Sequence, residues 1–241
     1  MSTTTSPIAT PKTPVAAVTP PDPVSADAQL TRISARFGLA FTICQLAVMI
    51  GMSIFVLPKG GTLGDTPTHW GHDVLDAETW YRAGNYAFVL AGTLLIGFLG
   101  AVHVKLRRAD PSGALAAIGV GSGVLLALIW PYAAVLHDVA LDVAMKGTDV
   151  RMLAGWDSIA PYSLAFSVLP RLFFIAVVVA ALRLTGEAVW LQRIGIALLP
   201  VGLIATATLM FGGLFPILAL STLGYELWVG AVAWHWLRTS R

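Results

Sequence analysis

Six long apolar runs separated by short polar loops constrain this chain more than any other feature. They are Phe37–Leu57, Tyr86–Val104, Gly113–Leu136, Pro161–Leu182, Ile194–Gly213 and Leu214–Leu237. Each is close to the ~20 residues that a helix needs to cross bilayer hydrocarbon. Lipid offers no partner to a free N–H or C=O, so each run is expected to be helical throughout. The fold class that follows is all-α: a polytopic membrane protein, a bundle of six transmembrane helices. Only 12% of the residues are charged, against about 25% in soluble domains, which excludes an ordinary soluble enzyme. The formal charge of +2 is too small for a nucleic-acid surface. The expected partner is therefore the lipid bilayer, with other membrane proteins as further candidates and no nucleic acid.

Two segments divide the chain. Residues 1–30 are rich in Pro, Thr and Ala, with prolines at 7, 11, 14, 20, 21 and 23. Such a stretch buries too little apolar surface to offset its ordering entropy, so it reads as a disordered tail. It lacks the basic lead and short apolar core of a secretory signal. Residues 31–241 read as the six-helix transmembrane domain.

Basic residues set the expected orientation. Lys12, Arg32, Arg36, Lys105, Arg107, Arg108, Arg183, Arg193, Arg238 and Arg241 fall on one side; Lys59, Arg82, Lys146 and Arg151 fall on the other. The positive-inside bias puts the richer side, with both termini, in the cytoplasm of a cell (cytoplasmic) membrane. Trp70, Trp80, Tyr81, Tyr86 and Trp156 would form an outer aromatic belt, and Trp190, Trp234 and Trp236 an inner one.

Glycines cluster in the second and third runs, including "GVGSG" at 119–123. That stretch has Val124 where a dinucleotide fingerprint needs its third glycine, and no strand precedes it. Close helix packing explains it. Pro131, Pro170 and Pro200 each free a carbonyl one turn earlier. Gly212 and Gly213 suit a tight turn before the sixth run, and Pro216 suits its first helical turn. Cys44, the sole cysteine, rules out an intrachain disulfide and reads as a structural thiol.

Two charges stand inside the apolar runs. Arg171 lies ~15 Å in from the outer start of the fourth run, and Glu226 ~18 Å in from that of the sixth. Both fall near the middle of a ~30 Å core, where an ionised side chain costs at least ~2.5 kcal/mol. Matched depth suggests that they face each other, with the Tyr225 hydroxyl as a further donor. As a clasp, the pair would fix how two helices pack. As the lining of a polar cavity, it would serve a small solute, ion or proton.

The loop "DTPTHWGHDVLDAETW" offers a different chemistry. If it is helical after Pro67, then His69, His72, Asp73 and Asp76 share one face. Imidazoles and carboxylates so arranged suit a divalent metal such as zinc. The alternative is an amphipathic helix lying on the membrane surface. A second group, His137, Asp138 and Asp142, follows the third run, with His137 rotated away from Asp142 unless the backbone unwinds. No GxSxG, HExxH or CxxC pattern occurs, so no catalytic residues are assigned and the chain leans away from an enzyme. No cofactor is predicted apart from that divalent metal. His103 and His235, near the inner ends of their runs, read as interfacial side chains reaching toward water.

The stretches "ARFGLAFTICQLAVMIG" and "WLQRIGIALLPVGLIATATLMFGG…LGYELWVGAVAWHWL" carry a resemblance. They are similar to an uncharacterised family of bacterial six-helix integral membrane proteins, known as a domain of unknown function. The resemblance implies the six-helix architecture and a last helix bearing a mid-membrane Glu, and it lends no catalytic residue. The expected function is a non-enzymatic structural or accessory membrane component with a buried Arg–Glu pair. A carrier using Arg171 and Glu226 is the alternative, and a metal-dependent membrane protein using the loop His and Asp residues is the second.

Overall fold

The protein is described by a computed structural model covering residues 23–56, 77–145 and 159–240. All regular structure among these residues is helical. The six long helices are α1 (Pro23–Gly51), α2 (Glu78–Ala109), α3 (Ala114–Met145), α4 (Ile159–Leu184), α5 (Val189–Thr206) and α6 (Phe215–Thr239). All six include stretches long and apolar enough to cross a membrane. A π-turn, Met52–Val56, extends α1, and two 3-10 turns, Ala207–Leu209 and Gly212–Leu214, link α5 to α6. Pro216 sits in the first turn of α6, where its missing N–H costs no helical bond.

The helices alternate in direction, each packs on its sequence neighbour, and α6 returns to α1 to close the ring. Small residues make the close approaches possible. A Cβ on Gly97 would strike Phe37, one on Gly123 would strike Leu99, and one on Gly230 would strike Thr42. The third-run glycines are thus packing positions on the faces turned to neighbours, while Gly121 meets open space. The core, which includes Phe41, Leu95, Phe98, Leu126, Phe174 and Trp228, fills the ring.

α1 begins at Pro23, so residues 23–30 of the expected tail are helical. Two contacts hold them: Asp27 pairs with Arg108 of α2 at 3.2 Å, and the Asp27 carbonyl accepts the Thr31 hydroxyl at 2.8 Å. Residues 1–22 lie outside the described residues. Two aromatic residues expected at the membrane surface are instead in the core. Tyr81 is buried beside His137, and Trp236 is buried against Phe98 at 5.7 Å between ring centres. Each falls on its helix face that turns to a neighbour, and packing decided its place. Trp80, Tyr86, Trp190 and Trp234 are exposed as expected, while Trp70 and Trp156 lie outside the described residues.

Loop chemistry fixes the α2–α3 corner. The Asp110 carboxylate accepts from the Ser112 hydroxyl at 2.6 Å and from the Ser112 and Leu115 N–H groups at 3.0 Å. The Ser112 hydroxyl, then the Leu115 N–H, hold the Asp110 carboxyl below the usual carboxylate range. At the same end of the bundle, Glu187 of the α4–α5 loop reaches Lys105 of α2 at 3.6 Å and His235 of α6 at 3.5 Å. His235 thus lies beside a carboxylate, whereas His103 is exposed.

Candidate functional site

The buried charges of α4 and α6 come together with uncharged polar groups in mid-bundle. α4 continues through Pro170, so Arg171 keeps its helical register and points into the ring. Both Arg171 and Glu226 are 1% exposed. They do not form a direct ion pair. Arg171 Nη1 instead donates to Thr222 Oγ1 at 2.6 Å, and that hydroxyl donates in turn to the Leu218 carbonyl at 2.8 Å. Thr222 lies one helical turn before Glu226 on the same face of α6. The cation is therefore anchored one helical turn from the anion.

Aromatic rings flank the cation. Its guanidinium carbon lies 5.3 Å from the Trp130 ring centre and 5.4 Å from that of Tyr225. Phe174 meets Tyr225 edge-on at 6.1 Å. Electron-rich ring faces at these distances attract a cation that has left water. Tyr225 thus contributes its ring to Arg171, and its hydroxyl has no hydrogen-bond partner among the described residues.

Several other polar atoms here are buried and unmatched among the described residues: Arg171 Nε and Nη2, Glu226 Oε2, and both amide atoms of Gln45. Gln45 belongs to α1 and is fully buried. It follows Thr42 by three residues, and Thr42 Oγ1 donates to the Glu226 carbonyl at 3.0 Å. Gln45 therefore stands on the α1 face turned toward α6, one turn farther along. Native structures match more than about 90% of buried polar groups. Further unmatched atoms among the described residues stand at Tyr81, Thr208, His235 and Trp236. What sets this centre apart is that its unmatched atoms belong to a buried guanidinium and a buried carboxyl on neighbouring helices.

Arg171, Glu226 and Tyr225 were legible from sequence as charges and a hydroxyl in apolar runs; Gln45, Thr222 and Trp130 were not singled out. Gln45 carried the same signal, a full amide inside an apolar run. Thr222 could have been found as the residue one turn from Glu226.

The far end of α2 and α3 holds a second polar cluster. Arg82 donates to Glu78 at 2.9 Å and to Asp142 at 2.7 Å, and lies 4.0 Å from Asp138. Buried Asn85 donates to Asp138 at 2.9 Å and lies 3.2 Å from His137 Nδ1. α3 stays helical through Met145. With the helix unbroken, His137, Asp138 and Asp142 do not converge on one another as a ligand group; Arg82 and Asn85, reaching across from α2, link them. The guanidinium and the amide engage one oxygen of each aspartate.

His69, His72, Asp73 and Asp76 lie outside the described residues. Among the described residues, no group of three or more His, Cys, Asp or Glu side chains is placed to hold a metal ion. Cys44 donates weakly to the Ala87 carbonyl at 3.4 Å, a half-buried link between α1 and α2. The chain matches no family model, no curated protein and no solved structure.

Proposed function

We propose that this six-helix chain is a carrier-type integral membrane protein, with both termini cytoplasmic, whose Arg171–Glu226 centre receives a small polar solute from water. The observation that carries this reading is the set of unmatched atoms: two Arg171 nitrogens, a Glu226 oxygen and the Gln45 amide, all buried in mid-bundle. A purely structural clasp would gain most by closing Arg171 directly on Glu226, since a buried charge left short of partners is expensive. The guanidinium instead spends one nitrogen on a neutral hydroxyl and leaves its other edge unmatched. An accessory role built on the Arg171–Thr222 link between α4 and α6 is the competing reading.

Water access separates the two. In a Cys44→Ser background, Gln45→Cys in sealed vesicles should react with the small water-soluble reagent methanethiosulfonate ethylammonium. Ile43→Cys, which is 68% exposed on the outer surface of the bundle where lipid would lie, should not. Failure of the position-45 thiol to react in folded protein would remove the carrier reading and leave the clasp.

A further inference from the structure

We infer that the solute is a small zwitterion, an amino carboxylate whose two charges are met separately by Arg171 and Glu226. The inference rests on the carrier reading above and names its substrate class. The chemistry begins with the guanidinium. Nε–H and one Nη2–H lie side by side on one edge of that planar group, and this edge is unmatched while Nη1 is held by Thr222. Two parallel donors on a fixed fork match the two oxygens of a carboxylate. Because Thr222 holds Nη1, the fork is oriented before anything binds.

The opposite charge lies close by. Glu226 Oε2 is an unmatched acceptor, one helical turn from the residue that anchors Arg171. One turn is about 5–6 Å along the axis, a span suited to a molecule with only a few atoms between amine and carboxylate. A carboxylate alone would neutralise Arg171 and leave Glu226 uncompensated in a medium that stabilises charge poorly. A lone cation would do the reverse. A zwitterion compensates both at once, with no change in the net charge of the site. The Gln45 amide, with a donor and an acceptor both unmatched, can bond either end.

The Gln45→Cys reporter tests this by protection. β-Alanine, acetate and methylammonium are compared at equal concentrations as probes of labelling rate. At saturating β-alanine, labelling should slow at least about tenfold, as occupancy above about 90% requires. Acetate and methylammonium should each give less than about a twofold effect at the same concentration. Glu226→Gln should abolish the protection by β-alanine. If that variant fails to fold, the three-probe comparison in the Gln45→Cys reporter, with Arg171 and Glu226 both in place, decides alone. Protection by acetate as strong as that by β-alanine, or labelling that no probe slows, would overturn the zwitterion while leaving a water-reached site. Absence of labelling would instead remove the carrier reading itself.

Discussion

The contact between α2 and α3 is tight enough at Gly92 that a single methyl group should be measurable. A Cβ there would lie 2.5 Å from the Ala127 carbonyl oxygen and 2.7 Å from Pro131 Cγ. The Ala127 carbonyl is the one whose helical N–H partner Pro131 cannot supply, so α2 approaches α3 at the proline site. Neither neighbour can rotate aside, one being backbone and the other a ring. The two helices would have to separate by about 1 Å to restore ordinary contact, and overpacking of this kind costs about 1–3 kcal/mol. Against that, replacing Gly by Ala in a helix gains about 0.8–1 kcal/mol. Gly121→Ala supplies the control, since nothing lies within 4 Å of its Cβ position and only the gain applies. Unfolding of both variants by sodium dodecyl sulfate in mixed micelles, followed by tryptophan fluorescence, should rank Gly121→Ala above Gly92→Ala by about 1–3 kcal/mol. Equal stability, or Gly92→Ala the more stable, would refute the packing account.

Three further outcomes follow from other contacts. Arg82→Met should loosen the far ends of α2 and α3 by less than about 1 kcal/mol, because its ion pairs are 38% exposed on the Arg side and salt-screened. The loss, measured by the same unfolding assay, should shrink at high salt. Trp228→Phe removes the bond from Nε1 to the Leu191 carbonyl at 3.0 Å, together with part of a fully packed ring. It should destabilise by about 1–3 kcal/mol, with faster hydrogen exchange at the start of α5. Asp110 should titrate below its ordinary value of 3.8. Its folded pKa is lowered, so its contribution to the α2–α3 corner is complete above that value and is lost as pH falls through the folded pKa. Hydrogen exchange at the Ser112 and Leu115 amides in Asp110→Ala, compared with the parent chain above pH 5, should already show the opened corner. An unchanged rate would contradict the capping role.

Much of the architecture was legible because lipid imposes a simple rule. A run of apolar residues long enough to cross must be helical, and six such runs became six helices in chain order. The turn at Gly212–Leu214 and the start of α6 beside Pro216 were readable as well, although the turn is a 3-10 one in which neither glycine takes a positive φ. Hydrophobicity could not say which face of a helix turns inward when every face is apolar. That is why Tyr81 and Trp236, which looked like surface anchors, turned out to be buried. Arg171 and Glu226 could be located by depth, but their meeting through Thr222 depends on rotation about the helix axes and on one hydroxyl, neither of which has a sequence signature. The links among His137, Asp138 and Asp142 have no sequence signature for a related reason: the side chains that make them, Arg82 and Asn85, come from α2.

The central claim is that water reaches the charged centre, and the guanidinium N–H groups of Arg171 report on it directly. Infrared spectra of the folded protein in lipid, taken on switching from H2O to D2O, contain an Arg171 band that its loss in Arg171→Gln identifies. That band should shift to its deuterated position while the amide bands of the helix backbones remain protonated. A band that stays unshifted until the protein unfolds would mean that the centre is sealed, and the account would fall.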